Sequence, residues 1–475
     1  MTHFDLAIIG TGSGNSLVTP DFDGKRVAII ESGTFGGTCI NVGCIPTKMY
    51  VFAADVANTI THAARYGIDA TLDGVRWTDI RDRVFGRIDP ISESGKNYRV
   101  NGPNTTAFLG HATFTGPKTL RIDSGIDSGN DTGEEVTADQ IVIATGARPT
   151  VPEVVRESGV RFHTSDTVMR LDALPNRLVI LGSGFIAAEF AHIFSALGSQ
   201  VTVVARSNAL MRKLDAEISQ RFTAVAQEQW DVRLNTTLAK VSGNQRGSGK
   251  GQQNGDASEV RLDFEDGSHV TGDVLLVATG RVPNTANLGL DVAGIVARED
   301  GGVVVDDHGR TNVGGVWALG DVSSMHQLKH VANHEARVVA HNLAHLDDLR
   351  SFNHGDVPSA VFTSPQIASV GRTEEQLKAE SRGYVTKSQA YGDTAYGWAM
   401  EDTTGICKVI ADPDTGELLG AHLMGYQASI LIQPLIQGMA FGQTVTEIAR
   451  GQYWIHPALS EVVENALLGL GLDPQ

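Results

Sequence analysis

The fold is decided by residues 177–206, which read RLVILGSGFIAAEFAHIFSALGSQVTVVAR. The apolar run up to Leu181 predicts a buried parallel strand, and the glycine turn after it leads into a predicted amphipathic helix that ends at about Leu197. A second apolar run, from Gln200 to Val204, predicts the next strand. Strand, glycine turn, helix and strand in this order indicate a dinucleotide-binding unit, because the glycines let a pyrophosphate approach the backbone.

The end of the second strand indicates which nicotinamide nucleotide binds. Sites for NADH usually place an acidic residue there, whereas this chain has Ala205, then Arg206 and later Arg212. A guanidinium can form two hydrogen bonds with the 2′-phosphate of NADPH, and a carboxylate would repel that phosphate. The pattern therefore favours NADPH, with two solvated surface arginines as the alternative interpretation.

The N-terminal region carries a weaker copy of the same pattern. Asp5–Gly10 predicts a buried strand, the turn Gly10-Thr11-Gly12-Ser13-Gly14-Asn15 follows, and Glu31 ends the next predicted strand, 21 residues beyond Gly10. A carboxylate there can accept hydrogen bonds from a ribose. Asn15 replaces the third glycine of the fingerprint, and Pro20 shortens the helix between the strands. These departures put close helix–sheet packing in doubt but leave phosphate binding predicted.

The segment Gly36–Lys48 contains two cysteines, Cys39 and Cys44, five positions apart. The composition after them predicts a helix, and a thiolate near a helix N-terminus has a lowered pKa. A structural disulfide, part of a metal site and two buried small side chains are the alternatives. The only other cysteine is Cys407, and no suitably spaced histidine pair lies near the motif, which disfavours zinc. The flanking nucleotide motifs favour redox chemistry.

Composition argues against several classes of partner. The 475-residue chain allows about three domains. Its formal net charge is −17 and it has no run of Lys or Arg, which argues against nucleic acid and anionic membranes. No apolar run is long enough to span a membrane, and Met1–Asp5 leads into a predicted strand without a secretory signal. Three cysteines suit a reducing compartment, so we expect a cytoplasmic protein.

Further motifs follow along the chain. The predicted strand ending in Ala144-Thr145-Gly146 is echoed by Ala278-Thr279-Gly280, so two parts of the chain look like copies of one nucleotide-binding plan. Gly320-Asp321 follows another short strand, and its carboxylate could accept hydrogen bonds from a sugar-like chain. Residues 123–134 predict a surface loop, and residues 243–257 predict a flexible insertion without core residues.

The C-terminal region has a different pattern. From about Asn353, short predicted strands precede helices that begin near Ser429, which indicates an α+β domain; the strands are 359–362, 406–410 and 418–424. Near the end, His456 precedes a proline and Glu461 lies five residues later. A single histidine in such a place is usually structural, but a carboxylate at this spacing could orient it for proton transfer.

These motifs, in this order, resemble the pyridine nucleotide–disulfide oxidoreductases of the glutathione reductase and dihydrolipoamide dehydrogenase class over essentially the whole chain. The most specific matches are the cysteine segment, residues 278–281, residues 318–321, and His456-Pro457 with Glu461. The resemblance implies an α/β fold with two Rossmann-like domains, which bind FAD and NAD(P), and a C-terminal α+β dimerisation domain. The implied boundaries are 1–150 for the first part of the FAD-binding domain, 151–280 for the NADPH-binding domain, 281–350 for the return segment of the FAD-binding domain, and 351–475 for the dimerisation domain.

The resemblance also implies a mechanism. FAD and NADPH are the cofactors, no metal takes part, and electrons pass from nicotinamide to flavin and then to a Cys39–Cys44 disulfide. Cys44 would stack against the flavin, and Cys39 would attack a small-molecule disulfide substrate. His456 of one subunit, oriented by Glu461, would act as acid and base at the other subunit's cysteines. The enzyme would then be a homodimer with a shared active site.

Residue roles carried over from the family complete the prediction. Lys48 and Glu189 resemble an ion pair beside the flavin, although Glu189 could be an ordinary polar residue on its helix. The implied FAD ligands are Gly10, Gly12, Gly14 and Glu31 for the adenylate half and Asp321 for the ribityl side. The implied NADPH ligands are Gly182, Gly184, Ala187, Arg206 and Arg212. Further cofactor-binding positions are Gly37, Thr38, Lys48, Ala112, Thr145, Gly146 and Gly280.

Several functions share these motifs. A dihydrolipoamide dehydrogenase usually has the acidic residue that Ala205 replaces, whereas a glutathione reductase would be separated only by its substrate. A non-catalytic flavoprotein would leave both cysteines and His456 idle. A large thioredoxin reductase is disfavoured because the tail, 467–475, has no cysteine pair. Three finer stretches, 10–16, 396–402 and 451–456, resemble one family member that reduces a low-molecular-weight thiol disulfide.

Overall fold

A computed structural model describes residues 1–124, 133–243 and 259–472. The chain forms two compact units, each built from three segments. The first unit comprises Met1–Thr47, Asp79–Thr150 and Gly280–His354, and the second comprises Lys48–Thr78, Val151–Thr279 and Gly355–Gln475. None of the helices in the described ranges is long and apolar enough to cross a membrane.

Strands and helices are interspersed along the described chain, and both also occur in consecutive runs. The strands are β1 (Thr2–Ile9), β2 (Val27–Glu31), β3 (Thr105–Gly116), β4 (Thr119–Ser124), β5 (Glu134–Ile143), β6 (Ala147–Pro149), β7 (Arg177–Leu181), β8 (Gln200–Val204), β9 (Asp231–Arg233), β10 (Leu238–Gly243), β11 (Val260–Phe264), β12 (His269–Gly272), β13 (Val274–Val277), β14 (Arg281–Pro283), β15 (Val316–Ala318), β16 (Ser359–Val361), β17 (Gln366–Gly371), β18 (Val385–Ala390), β19 (Ile406–Ala411) and β20 (Leu418–Gly425). The α-helices are α1 (Gly37–Asn41), α2 (Cys44–Thr61), α3 (Trp77–Val100), α4 (Glu153–Arg156), α5 (Ser165–Val168), α6 (Phe185–Ala196), α7 (Ala216–Gln229), α8 (Lys329–Ala344), α9 (Glu374–Ala379), α10 (Ala395–Ala399), α11 (Ala428–Leu431), α12 (Gln433–Ala440), α13 (Val445–Arg450) and α14 (Glu461–Leu468).

The first unit is organised around β1. This strand pairs in parallel with β2 on one side and β5 on the other, with Ile8 opposite both Ile29 and Val142. β3 and β15 extend the parallel sheet, and the β3–β4 hairpin returns to β5. Because β1 is apolar on both faces, one cluster of buried side chains forms around Leu6 and Ile8 and another around Ala7 and Ile9.

The second unit contains the sequence that decided the prediction. β7, β8, β9 and β13 form a four-stranded parallel sheet in the order β13-β7-β8-β9. The helix after the glycine turn, α6, ends at Ala196 with Leu197 as its C-cap, as predicted. Its predicted amphipathic character is wrong, because every residue from Ala187 to Phe194 is buried. A helix covered on all sides has no polar face to reveal its orientation.

The second unit also contains two antiparallel sheets. β10, β11 and β12 form one, and the other has the order β16-β17-β20-β19-β18 with α11–α14 packed against it. Sequence analysis predicted only β16, β19 and β20 of this larger sheet. β17 reads QIASVG and directly follows a proline, and β18 reads VTKSQA. Neither sequence has the apolar alternation that marks a strand.

The two predicted loops lie largely outside the described residues. β4 continues to Ser124 and β5 begins at Glu134, so Asp123 and Glu134 belong to strands rather than to the loop predicted over 123–134. Residues 125–132 are outside the described part. Gly243 ends β10, and the remainder of the insertion predicted over 243–257 is also outside it.

Candidate active site

The first glycine turn connects β1 to a short 3₁₀ helix, Ser13–Ser16. Gly10 has φ of +103°, and a Cβ there would lie 2.4 Å from the carbonyl oxygen of Ala144, so only glycine fits. Gly14 is buried, and a Cβ on it would lie 2.9 Å from Ile8 Cγ2. The close packing that the third fingerprint glycine usually permits is therefore made by Gly14, one residue earlier than Asn15.

Asn15 has a different role that sequence analysis missed. Arg99, on α3, donates from Nε to Asn15 Oδ1 at 2.7 Å and from Nη2 to Asn15 O at 2.6 Å. Arg99 is 7% exposed as a whole residue, and burial lowers its pKa. These two hydrogen bonds thus hold the first glycine turn in place, although Arg99 lies 84 residues from Asn15 in the sequence.

Glu31 stands at the end of β2, where the fingerprint predicted it. Its Oε2 accepts hydrogen bonds from Thr11 N at 2.9 Å and Thr11 Oγ1 at 2.6 Å, and its Oε1 accepts from Gly33 N at 2.8 Å. The carboxylate borders a cavity of about 280 Å³ that also includes Ser92 and Lys96. The cavity thus lies at the end of β2, next to the carboxylate that the fingerprint predicted to accept hydrogen bonds from a ribose.

Asp321 lies in the 3₁₀ helix Gly320–Val322, directly after β15. Burial raises the pKa of Asp321, while the charges of Arg281 and Lys329 oppose that rise. Glu335, which is 1% exposed, accepts a hydrogen bond from Gly320 N at 2.6 Å and so fixes the backbone beside Asp321. This buried carboxylate also went unnoticed in the sequence.

Cys39 lies in α1 and Cys44 begins α2. The two residues carry separate thiol groups, and a hydrogen bond joins their side chains. That hydrogen bond, together with burial, raises the pKa of Cys39, whereas the charge of Lys329 lowers it. Cys44 begins an 18-residue helix, and the N-terminus of a helix stabilises a thiolate.

The other predicted cofactor residues of the first unit occupy turns and one strand. Gly37, Gly146 and Gly280 all have positive φ, and a Cβ on Gly37 would lie 2.6 Å from Gly12 Cα. Thr145 Oγ1 donates to Asn284 O at 2.9 Å, which attaches the first of the echoed turns to the residue that follows β14. Thr38 is exposed, and Ala112 packs its side chain into the core, opposite Ile122 in the β3–β4 hairpin.

Lys48 and Glu189 form the predicted ion pair in the second unit. Lys48 Nζ lies 2.7 Å from Glu189 Oε1 and 2.6 Å from Oε2, and the glutamate side chain is 6% exposed. Phe362 N donates to Glu189 Oε1 at 2.9 Å, and its ring centroid lies 4.6 Å from Lys48 Nζ. The structure thus holds this ammonium in a fixed position, four residues after Cys44 in the sequence.

The second glycine turn has unoccupied space next to Gly184, just before α6 begins. Gly182 has φ of +148°, and a Cβ there would lie 2.2 Å from Ala278 O, but a Cβ on Gly184 would meet nothing within 4 Å. Ala187 is buried in α6, while Arg206 and Arg212 are exposed. Met211 N donates to Ser183 O at 2.9 Å, so the segment that carries both arginines is attached to the glycine turn.

A buried ion cluster lies after this segment and was not predicted. Lys408, on β19, is 2% exposed and donates to Asp215 Oδ1 at 2.8 Å and to Glu374 Oε2. Asp215 caps the N-terminus of α7 by accepting from Glu217 N. Burial alone would raise the pKa of Asp215, but the hydrogen bond from Lys408 lowers it. A single lysine in the apolar strand ICKVIA was the only signal in the sequence.

His456 and Glu461 form the predicted pair near the C-terminus. His456 Nδ1 lies 2.7 Å from Glu461 Oε1, and Glu461 is the first residue of α14. The histidine side chain is 72% exposed and the glutamate side chain 18% exposed. A carboxylate at Nδ1 orients the imidazole and leaves Nε2 for proton exchange. Within residues 1–124, 133–243 and 259–472, no cluster of His, Cys, Asp and Glu could hold a metal ion.

Two nucleotide-binding turns, a cysteine pair and a carboxylate-oriented histidine define a flavin- and nicotinamide-dependent disulfide oxidoreductase. The chain belongs to the pyridine nucleotide-disulphide oxidoreductase family: the family model matches residues 4–336, and the model of the family's dimerisation domain matches residues 357–467. This membership confirms the expected fold class, the enzyme class and the cofactors FAD and NADPH.

Individual proteins of known name are similar to this chain to different degrees. Mycothione reductase of Mycobacterium tuberculosis is 57% identical over 99% of this chain and 100% of that protein. Dihydrolipoyl dehydrogenase of Corynebacterium glutamicum is 34% identical over 98% of each chain. Among solved structures, the HOCl-induced flavoprotein disulfide reductase RclA from Escherichia coli has a TM-score of 0.83 and 28% identity over 98% of this chain and 99% of that chain.

Proposed function

We propose that this protein reduces mycothione, the disulfide of mycothiol, to mycothiol with NADPH. The hydrogen-bonded thiol pair at the N-terminus of α2 carries the disulfide chemistry. The choice of substrate is supported by the relative named mycothione reductase, which matches over nearly the whole chain, whereas dihydrolipoyl dehydrogenase matches at much lower identity.

The residues of the first unit suit FAD. A Cβ at Gly10, Gly14 or Gly37 would lie within 3 Å of other protein atoms, so these glycines keep the turn tight, whereas a Cβ at Gly12 would meet only Gly37 Cα, at 3.7 Å, which leaves room for a ligand. Gly10, Gly12, Gly14 and Glu31 would hold the adenylate half, and Asp321 the ribityl side. When bound, FAD transfers two electrons from NADPH to the Cys39–Cys44 disulfide.

Disulfide exchange then follows from the two thiols. The Cys39 thiolate attacks one sulfur of the substrate, which forms a mixed disulfide and releases the first product thiolate. Cys44 attacks the Cys39 sulfur of that mixed disulfide, which releases the second product and restores the Cys39–Cys44 disulfide. Two protons convert the released thiolates to thiols. His456, held by Glu461, supplies a proton to the leaving group.

The remaining roles extend this proposal. Residues 1–150 and 281–350 bind FAD, 151–280 bind NADPH through the second glycine turn and its two arginines, and 351–475 pair two subunits. The protein works in the cytoplasm as a homodimer in which His456 of one subunit serves the cysteines of the other. The matched dimerisation domain supports the pairing of subunits.

The decisive experiment compares disulfide substrates. NADPH oxidation by the purified protein is measured with mycothione, oxidised glutathione and lipoamide in parallel. We expect turnover with mycothione only. Turnover of lipoamide with NADH in preference to NADPH would instead identify a dihydrolipoyl dehydrogenase.

A pair of cysteine variants tests the thiol roles. Cys39→Ser should keep flavin reduction by NADPH and lose disulfide turnover, because it lacks the attacking thiolate. Cys407 is fully buried in β19, so Cys407→Ala is the matched control and should keep turnover. Normal turnover in Cys39→Ser would contradict the assigned role.

A further inference from the structure

Lys329 is the first residue of α8, a position at which a positive charge is repelled by the helix dipole. The N-cap residue, Leu328, makes no side-chain capping hydrogen bond, and the first turn contains no acidic residue. The N-terminus of a helix carries a partial positive charge, so a cation there is unfavourable. An anion next to Lys329 would remove that cost.

The lysine side chain points to the first glycine turn. Its Nζ donates to Ser13 Oγ at 2.8 Å, in a partly buried contact between residues 316 positions apart. Ser13 lies between Gly12 and Gly14. No carboxylate in the described ranges forms an ion pair with Lys329. A partly buried ammonium that forms no ion pair within the described ranges, beside the first glycine turn, indicates that the site receives negative charge from a ligand.

The charge of Lys329 also acts on two other groups of the first unit. The pKa values of the Cys39 thiol and of Asp321 are both raised, by the Cys44 hydrogen bond and burial in the first case and by burial in the second, and the charge of Lys329 opposes both rises. Arg281 acts on Asp321 in the same direction. The same ammonium therefore acts on the phosphate turn, the attacking cysteine and the carboxylate predicted to hold the ribityl chain.

We propose that Lys329 is a positioning residue of the flavin site that holds Ser13 in the glycine turn and supplies a fixed positive charge to FAD and to the reduced cysteine centre. This inference rests on the proposed flavin and disulfide function. Two-electron reduction adds negative charge to the centre as thiolate and reduced flavin. A fixed cation stabilises that state more than the oxidised state, so its loss makes reduction harder.

Three variants separate charge from hydrogen bonding. Lys329→Gln removes the charge and keeps a donor for Ser13, Lys329→Arg keeps the charge, and Ser13→Ala keeps the charge and removes the acceptor. Lys25→Met, at an exposed position of the same unit, controls for loss of any positive charge. FAD release is measured by flavin fluorescence during a potassium bromide titration, and the two-electron midpoint potential by equilibration with a redox dye.

The expected effects fall into a clear order. Lys329→Gln should weaken FAD retention about tenfold and make the midpoint potential about 30 mV more negative, which is a tenfold change in the two-electron equilibrium. Lys329→Arg and Lys25→Met should keep the wild-type potential, and Ser13→Ala should change FAD retention but not the potential. A wild-type potential in Lys329→Gln would overturn the proposal, even if its thermal stability fell. If wild-type protein retained no FAD, the proposed function itself would fail.

Discussion

The two glycine turns of this protein share their first two glycines and differ in the structure that follows them. Gly10 and Gly182 both have positive φ, and a Cβ on either would collide with the carbonyl oxygen of an alanine that follows a neighbouring strand, Ala144 or Ala278. The second turn continues into the 12-residue helix α6, whereas the first continues into a four-residue 3₁₀ helix. The first glycine is thus required by the sheet in both turns, whereas the third fingerprint position holds Asn15 in the short helix and the small, buried Ala187 in the long one.

The strand ends differ as well. Glu31 is bonded to Thr11 within the first turn, while the second strand end carries the exposed Arg206 and no acid. Glu31 and Arg99 hold the first turn through side-chain hydrogen bonds, whereas the second turn is held by the backbone hydrogen bond from Met211 N to Ser183 O.

The comparison predicts its largest effect at the first glycines. Gly10→Ala and Gly182→Ala should each destabilise their unit by about 4 kcal/mol or more, because a strained φ adds to an overlap with backbone. Gly184→Ala is the matched control, since its Cβ meets open space. It should unfold at the wild-type temperature yet raise the KM for NADPH about tenfold, because the added methyl group would block the pyrophosphate. Calorimetry and steady-state kinetics provide both readouts. Equal thermal loss in all three variants would refute the steric explanation.

The second largest effect is expected at the buried ion cluster of Lys408, Asp215 and Glu374. Lys408→Met leaves Asp215 and Glu374 buried without their cation, which should cost about 3–5 kcal/mol of unfolding free energy. The pKa values of both carboxyl groups are lowered. Their stabilising contribution is therefore present above the ordinary carboxyl pKa of about 4 and is lost as pH falls through the lowered values. Urea unfolding at pH 7 and at pH 3 measures this: the difference between wild type and Lys408→Met should shrink at the lower pH. A pH-independent difference would show that packing, not charge, stabilises the cluster.

The pattern of successes and failures in the sequence prediction has a physical cause. The strands around Ile8 and Ile180, the glycine turns and the pairs Lys48–Glu189 and His456–Glu461 were all predicted from the sequence or from the family resemblance. Arg99, Lys329 and Lys408 were missed because their hydrogen-bond partners lie far away in the sequence. The separation is 84 residues for Arg99, 316 for Lys329 and 193 for Lys408. Hydrophobic periodicity records which face of an element is buried, but a polar contact between distant segments leaves no periodic trace.

Cofactor preference should follow the difference between the two strand ends. Arg206→Ala removes a charge-assisted contact worth about 1.5–3 kcal/mol, so the KM for NADPH should rise about 10- to 100-fold while the KM for NADH stays the same. Arg221, on α7, is also exposed and pairs with Glu217, so Arg221→Ala serves as the control and should change neither constant. Parallel shifts of both KM values in Arg206→Ala would mean that this arginine does not recognise the 2′-phosphate.

The smallest effect concerns the residue that replaces the third glycine. Asn15→Gly restores the usual fingerprint of the first turn but takes the side-chain acceptor from Arg99, so it should destabilise the protein rather than improve it. Arg99→Met removes the partner, and in that background Asn15→Gly should cost much less. The double-mutant cycle, measured by urea unfolding, should give a coupling energy of about 1–2 kcal/mol. A coupling near zero would mean that Asn15 and Arg99 act separately. The first turn would then tolerate an asparagine simply because no long helix packs behind it, which is the condition that separates it from the second turn.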